Sequence, residues 1–206
     1  MDAANPILRR IYSMKGGADE CREVYETWAA TYERDTLEDM GYVGPAIAAE
    51  TLASLLPENA VVLDAGCGTG LAGSELARRT EAVIDGVDIS REMLSKAAQK
   101  GVYRTLGEAD LTQPLAIDAD SYDGVICVGV FTNGHVGPKA LGEMARVAKP
   151  GAALVFTVHQ DVWASGYAEQ LERLAANGRI RVHRIIDAPY HEKEGYRCRL
   201  CIVEAA

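Results

Sequence analysis

No apolar run in the sequence approaches the ~18 residues that a membrane-spanning helix requires, and Met1 to Arg10 holds no apolar core of the kind a secretion signal needs. These absences set the expectation of a soluble, cytoplasmic protein without a membrane partner. Basic residues are also scarce: 21 Lys and Arg stand against 30 Asp and Glu, a formal net charge of −9. Nucleic-acid binding rests on clustered cations that displace counterions, so DNA and RNA are disfavoured as partners. The five cysteines, Cys21, Cys67, Cys127, Cys198 and Cys201, are scattered and odd in number, which reads as reduced thiols rather than a disulfide framework. Cys198 and Cys201 form a C-x-x-C, but residues three apart on a strand face opposite ways, so their thiols are not expected to meet. No His, Cys and carboxylate cluster has metal-ligand spacing, so no metal is expected. No G-x-S-x-G elbow for acyl transfer is present, and internal repeats and low-complexity tracts are missing as well.

What the sequence does contain is enough apolar material, 48% of 206 residues, for one domain with a sizeable core. From residue 59 onward, short β-branched runs alternate with helical patterns, the sequence form of repeated βαβ units and a mostly parallel sheet. The runs predict strands over 60–64, 82–88, 103–109, 123–130, 152–158, 180–188 and 196–204, with helices over 70–80, 90–100, 138–148 and 161–177. Ser90 is placed to cap the second of these helices, and Asn177-Gly178 to end the last. The link between the final two strands is too short for a crossover helix, so they should pair antiparallel. Before residue 59, helical patterns at 6–14, 19–37 and 45–56 are interrupted by Lys15-Gly16-Gly17 and by 41–45, and read as a cap. The organisation expected is one domain over 1–206, with 1–58 a helical cap or lid and 59–206 the core.

Val61-Val62-Leu63-Asp64 is an apolar run ending in a carboxylate, followed at once by Gly66, Gly68 and Gly70 and then a helix. Such glycines let the backbone turn tightly beside a ligand, and the helix start offers free N–H groups. One register, Gly68 to Gly73, matches the dinucleotide pattern G-x-G-x-x-G. An acid at the loop entrance would repel a pyrophosphate but attract an ammonium group, which points to a ligand with a cationic end near Asp64. Asp88 ends the second strand where ribose hydroxyls would lie, in dinucleotide folds and others alike. Asp110, in Ala109-Asp110-Leu111, places a further acid at the end of the third strand, where it could accept from an adenine amino group.

The motifs Asp64-x-Gly66-x-Gly68-x-Gly70, Val87-Asp88-Ile89-Ser90, Ala109-Asp110 and 146–151 together resemble the successive motifs of class I S-adenosylmethionine-dependent methyltransferases, strongly over 60–158. The resemblance implies a Rossmann-like core, S-adenosyl-L-methionine as cofactor, and a methyl transfer by in-line displacement. It implies Asp64, Gly66, Cys67, Gly68 and Gly70 around the methionine moiety, Asp88 on ribose, Ile89 and Met93 beside adenine, and Asp110 on its amino group with Ala109 and Leu111 flanking. Cys127, Val128 and Gly129 would lie near the transferable methyl. The stretch 25–33 is similar to a "YDxWAxxYD" segment of methyltransferase-like proteins of the Williams–Beuren region subgroup, with Glu at 26 and 33 where that segment has Asp.

Tyr25, Trp28 and Tyr32 share one helix face, a pattern that serves core packing and a lid over the cofactor alike. His135 and His159 follow the fourth and fifth strands, where a neutral imidazole could take a proton from the acceptor. His135 could instead cap the helix at 138, and Asp161 could cap the one after the fifth strand. A sulfonium already activates its methyl group, so few catalytic side chains are needed and the acceptor stays unnamed. With a short cap and no added domain, a small-molecule acceptor fits best, on a monomer or homodimer. Two other readings stay open at this level: a non-catalytic S-adenosylmethionine-binding regulator or scaffold, and an NAD(P)-dependent oxidoreductase, which lacks a Tyr-x-x-x-Lys pattern.

Overall fold

A sheet of seven strands forms the middle of the structure, a computed structural model that describes residues 17–206. The helix expected at 6–14 lies outside the described residues. In chain order the elements are helix α1 (Ala18–Trp28), a π-helical turn (Arg34–Asp39), α2 (Gly44–Ala53), β1 (Val61–Ala65), α3 (Leu71–Ala77), β2 (Val83–Asp88), α4 (Arg91–Ala98), β3 (Tyr103–Glu108), β4 (Tyr122–Phe131), α5 (Ala140–Val147), β5 (Ala148–His159), α6 (Tyr167–Ala176), β6 (Ile180–His191) and β7 (Tyr196–Ala205). The strand order is β3-β2-β1-β4-β5-β7-β6. All pairings from β3 across to β5 are parallel, while β7 runs antiparallel to both β5 and β6. The α/β, Rossmann-like sheet with an antiparallel C-terminal hairpin and a helical N-terminal layer is therefore the architecture observed.

The middle strands β1, β4 and β5 are buried on both faces, which is why they read as nearly continuous apolar runs, whereas β3 and much of β6 carry exposed positions. One face packs Val125, Cys127, Phe131, Leu154 and Phe156 against Leu141 and Met144 of α5 and Leu171 of α6. The other packs Val62, Ile126 and Val155 against Ala48 and Leu52 of α2 and Leu76 of α3. Cys201 belongs to the first core and Cys198 to the second, so the two thiols do lie on opposite faces. No helix among the described residues is long and apolar enough to cross a membrane.

Local capping follows the sequence in two places. Ser90 accepts the Met93 N–H at 3.3 Å to start α4, and Asn177 with left-handed Gly178 ends α6. It departs at Asp161: α6 begins at Tyr167 behind left-handed Gly166, and residues 161–166 are turns. The backbone N–H of Asp161 donates to His159 Nδ1 at 3.3 Å, which holds this stretch against the end of β5 instead of opening a helix. The helix expected over 19–37 is likewise split, because a turn after Trp28 leads into the π-helical turn.

The functional consequence of the strand order lies between β1 and β4. The chain runs outward from β1 through β2 to β3 and then returns to β4 beside β1, so the loops after these two strands diverge. Such a reversal opens a crevice at the carboxyl ends of the strands.

Candidate functional site

At that crevice lies a cleft of about 710 Å³. Its floor is the glycine loop after β1. The Gly66 and Cys67 N–H groups both donate to the Val87 carbonyl, at 2.8 and 3.0 Å, which ties the loop to β2. Gly66 has φ +76°, and a Cβ there would stand 2.2 Å from the Val130 side chain, so the position admits only glycine. A Cβ on Gly68, which borders the cleft, would meet nothing within 4 Å.

Asp88 forms one wall. Its carboxylate accepts the Gly68 N–H at 2.8 Å and the Ser90 N–H at 3.0 Å, joining the glycine loop to the start of α4. Burial raises its pKa, while backbone N–H groups of Ser90, Gly68 and Ile89 oppose the rise. Ile89 and Met93 continue this wall, and Ala109, Asp110, Leu111 and Thr112 form the next. Asp110 Oδ1 accepts from the N–H and hydroxyl of Thr112 at 2.8 and 2.7 Å, which folds the loop after β3 back on itself. Val128, Gly129 and Val130 of β4 close the far side.

Helix α1 roofs the cleft with Ala18, Cys21 and Tyr25, one residue per turn. Among the ties that hold this segment down, Arg22 Nε donates to the Ile89 carbonyl at 3.4 Å and the same guanidinium pairs with Glu108 at 3.8 Å, Glu33 pairs with Lys100 at 2.7 Å, and the Tyr25 hydroxyl meets His135 Nε2 at 2.8 Å. His135 Nδ1 lies 2.6 Å from the Asn133 carbonyl, which only an N–H can use, so Nε2 is the acceptor and Tyr25 the donor. Burial lowers the His135 pKa, so the ring is neutral at neutral pH. It lines the cleft and does not cap α5, which starts at Ala140. Burial, with Asp88 and Asp110 close by, pushes the Cys21 thiol up to about 12 and keeps it protonated.

Several expected residues stand elsewhere. Asp64 is almost wholly buried, and its carboxylate accepts the Tyr103 hydroxyl at 2.7 Å beneath the loop rather than facing the cleft. Burial pushes it up to about 7, partly offset by hydrogen bonds from Tyr103 and the Gly73 backbone. The direct contact between Asp64 and a ligand cation expected from the sequence is thus replaced by a packing role, because its side chain points under the loop toward β3. Cys67 is buried, and Gly70 lies against Tyr103 and Lys100 as the residue before α3. Neither borders the cleft, whereas Tyr25, Gly66, Gly68, Asp88, Ile89, Met93, Ala109, Asp110, Leu111, Val128 and His135 all do.

Trp28 and His159 border a second chamber of about 410 Å³, which shares Tyr25, Tyr32 and Gly129 with the first. Its other walls include Tyr42, Thr132, Tyr190 and His191. Trp28 Nε1 donates to the buried Asp35 carboxylate at 2.9 Å, which also accepts from Thr31 at 2.7 Å and so fixes the turn after α1. Gly129 has φ +82° at a bulge in β4, and a Cβ there would come within 2.8 Å of the Tyr42 hydroxyl. Cys21, Tyr42, Tyr190 and His191 are wall residues that the sequence pattern does not single out. The helical spacing of Cys21 and Tyr25 was a usable signal; Tyr190 and His191, at the end of β6, carry no local one.

Among the described residues no group of three or more His, Cys, Asp or Glu is arranged to hold a metal ion. The cleft carries two carboxylates and no Lys or Arg among its lining residues. That charge pattern suits hydroxyl, amino and cationic groups and disfavours a phosphate.

Comparison with known proteins adds a lineage to this geometry. Residues 62–151 match a family model described as a methyltransferase domain. Human methyltransferase-like protein 27 is 34% identical over 152 residues, 72% of this chain and 61% of that protein. The malonyl-[acyl-carrier protein] O-methyltransferase of Pectobacterium atrosepticum is 33% identical over 151 residues, 68% of this chain and 56% of that one. The chain therefore spans less than two thirds of the length of these curated relatives. Among solved structures, magnesium protoporphyrin IX methyltransferase from Synechocystis with bound S-adenosylmethionine superposes with a TM-score of 0.70 at 20% identity, covering 92% of this chain and 97% of that one. At that identity the likeness bears on the fold alone.

Proposed function

Because the chain belongs to the class I S-adenosylmethionine-dependent methyltransferases, we propose that it moves the methyl group of S-adenosyl-L-methionine to a small-molecule acceptor. The observation that carries this reading is the cleft at the β1/β4 reversal, which is lined by Asp88 and Asp110 without a side-chain cation. An adenosine with a cationic amino-acid tail matches that lining, whereas a dinucleotide would bring its pyrophosphate against Asp88.

In this reading the Asp88 carboxylate holds the ribose hydroxyls, and Ile89 and Met93 flank the adenine. Asp110 accepts from the adenine amino group between Ala109 and Leu111. The backbone of Gly66 and Gly68 cradles the methionine end, while Asp64, Cys67 and Gly70 shape the loop from beneath. Val128 borders the transferable methyl. The cofactor, when bound, supplies an already activated methyl group. The chain's own task is then to aim an acceptor atom along the S–CH3 axis and to exclude water, which α1 does by roofing the cleft. His135, neutral and held by Tyr25, and His159 beyond it are the candidates to accept a proton. Of the expected cap, α1 and the π-helical turn cover the two cavities, whereas α2 packs Ala48 and Leu52 into the core of the domain.

Isothermal titration tests the reading. S-adenosylmethionine and S-adenosylhomocysteine should both release or take up heat while NAD does not; binding of NAD without either would overturn it.

A further inference from the structure

A proton leaving an acceptor needs a lone pair to go to, and the two histidines named above already have theirs in use. A neutral imidazole has one such lone pair. His159 spends it on the Asp161 N–H, which donates to Nδ1 at 3.3 Å. His135 spends it on the Tyr25 hydroxyl, which donates to Nε2 at 2.8 Å, while its Nδ1–H faces the Asn133 carbonyl at 2.6 Å and the Thr132 hydroxyl at 2.9 Å. Neither ring stands ready to take a proton directly from a bound molecule.

Tyr25 is placed differently. It borders the cleft and the chamber alike, as Tyr32 and Gly129 do, so its side chain stands where the two cavities meet. A phenol that donates its hydrogen keeps lone pairs on the same oxygen with which to accept another. Burial, with Tyr32 and Cys21 beside it, holds this hydroxyl far above its ordinary range, so it gives up its proton only as another replaces it. Tyr25 comes from α1 and His135 from the loop after β4, so the pair exists only while α1 is seated over the cleft.

Resting on the methyl-transfer reading above, we infer that Tyr25 is a catalytic residue: its oxygen takes the proton of a hydroxyl acceptor while its own hydrogen passes to His135 Nε2. The acceptor class follows from what such a pair can do. A hydroxyl holds its proton at neutral pH and must lose it to become an ether. A carboxylate has already lost its proton, and would meet Asp88 and Asp110 in the cleft and no Lys or Arg on the walls of either cavity. An ammonium group has no lone pair for the methyl and would be repelled by the sulfonium.

In the transfer, a lone pair of the acceptor oxygen forms the O–CH3 bond as the S–CH3 bond breaks, and the electron pair of the broken bond stays on sulfur. The acceptor proton moves to the Tyr25 oxygen, the Tyr25 proton moves to His135 Nε2, and the imidazolium then releases it to water. One positive charge leaves sulfur and one appears on His135, whose Nδ1–H faces the Asn133 carbonyl. Charge is moved rather than created.

The test uses the purified full chain, methyl-labelled S-adenosylmethionine, and catechol, 2-naphthol and 1-octanol as probes, with hexanoate and benzylamine as contrasts. The label should enter the hydroxyl compounds as ethers. Tyr25→Phe should lower kcat by ~100-fold, while its S-adenosylhomocysteine affinity stays within about threefold of wild type. His135→Gln should lower kcat as far, although the glutamine oxygen can still accept from Tyr25, and the double variant should fall no further than either single one. A kcat in Tyr25→Phe that is unchanged or raised overturns the proposal, because freeing Nε2 would then let His135 act directly. Native kcat in His135→Gln overturns it too, reducing the pair to a structural tie for α1. Label in hexanoate or benzylamine alone, or in none of the hydroxyl compounds, overturns the acceptor class. Should Tyr25→Phe not fold, nitrogen resonances of wild-type His135 with S-adenosylhomocysteine bound decide: a protonated Nδ1 and a bare Nε2 are expected, and the opposite tautomer overturns the pair. Failure of S-adenosylhomocysteine itself to bind strikes the methyl-transfer reading instead.

Discussion

The cleft and the chamber share Gly129 yet are built in different ways. The cleft is assembled from short consecutive windows at 66–68, 88–93, 109–112 and 128–130, most of them loops directly after parallel strands. Its polar business is done largely by backbone groups and two carboxylates. The chamber takes single residues from α1, the π-helical turn, the loop at Tyr42, the β4 bulge and the ends of β5 and β6. Its chemistry resides in side chains alone. A site made of backbone imposes glycines and acids at fixed spacing, whereas a site made of distant side chains leaves each residue free to vary with its ligand.

Four substitutions break or sharpen that contrast. The largest effect is expected at Asp64, which belongs to the cleft by motif and to the packing beneath it by position. Its folded-state pKa near 7 stands above the unfolded value of about 3.9. Folding therefore favours the protonated acid, and this group's contribution is lost as pH rises from about 4 to about 7, by about 4 kcal/mol for a shift of this size. Asp64→Asn carries no such charge. Denaturation midpoints at pH 4 and pH 8 should show the variant gaining on the wild type at the higher pH, and parallel profiles would place the carboxylate in solvent.

Next comes Gly66→Ala, where the left-handed backbone and the Val130 clash together cost about 3 kcal/mol. Thermal melts should show the loss, and calorimetry an accompanying collapse of S-adenosylhomocysteine binding; a variant with native affinity would contradict the close approach. Asp88→Asn keeps the shape but replaces one of two acceptor oxygens. A drop in S-adenosylhomocysteine affinity of roughly 10- to 100-fold, equivalent to about 1.4–2.8 kcal/mol, is the expected titration result, and wild-type affinity would move the ligand off this wall. The smallest effect belongs to the chamber side: Trp28→Phe removes the indole donor to buried Asp35, at a stability cost of about 1–2 kcal/mol. Cofactor affinity should stay within about twofold of wild type in the same titration. A larger loss would return Trp28 to the cleft.

The same contrast explains what could be read without coordinates. From residue 59 onward the strand and helix succession, the Ser90 and Asn177 caps and the antiparallel final hairpin all follow from local periodicity and turn chemistry, and each is present in the structure. Residues at strand ends, such as Asp88 and Asp110, were legible as cleft-lining because parallel sheets put consecutive strand ends on one edge. Asp64 was misplaced because spacing gives a residue's position along the strand but not which way its side chain leaves the turn. The helix after β5 starts at Tyr167 rather than at Asp161, because residues 161–166 form turns and the Asp161 N–H bonds His159 two residues back, a choice of partner that helical periodicity does not record. His191 was invisible for a plainer reason: its partner Tyr42 meets it through a bridge between residue 42 and the end of β6, and nothing local records that.

The antiparallel insertion of β7 ties the chamber to the C-terminal end of the chain. Strand β6 has its ladder on β7 alone, and β5 meets β6 only across β7. The floor of the cleft is accordingly built from strand ends that lie before β6 and β7 in the chain. Tyr190 and His191 wait for residues 196–205, so the last stretch of sheet to be synthesised is also the one that seats the far wall of the chamber. The chamber thus depends on the C-terminal hairpin for its far wall, whereas no residue of that hairpin lines the cleft.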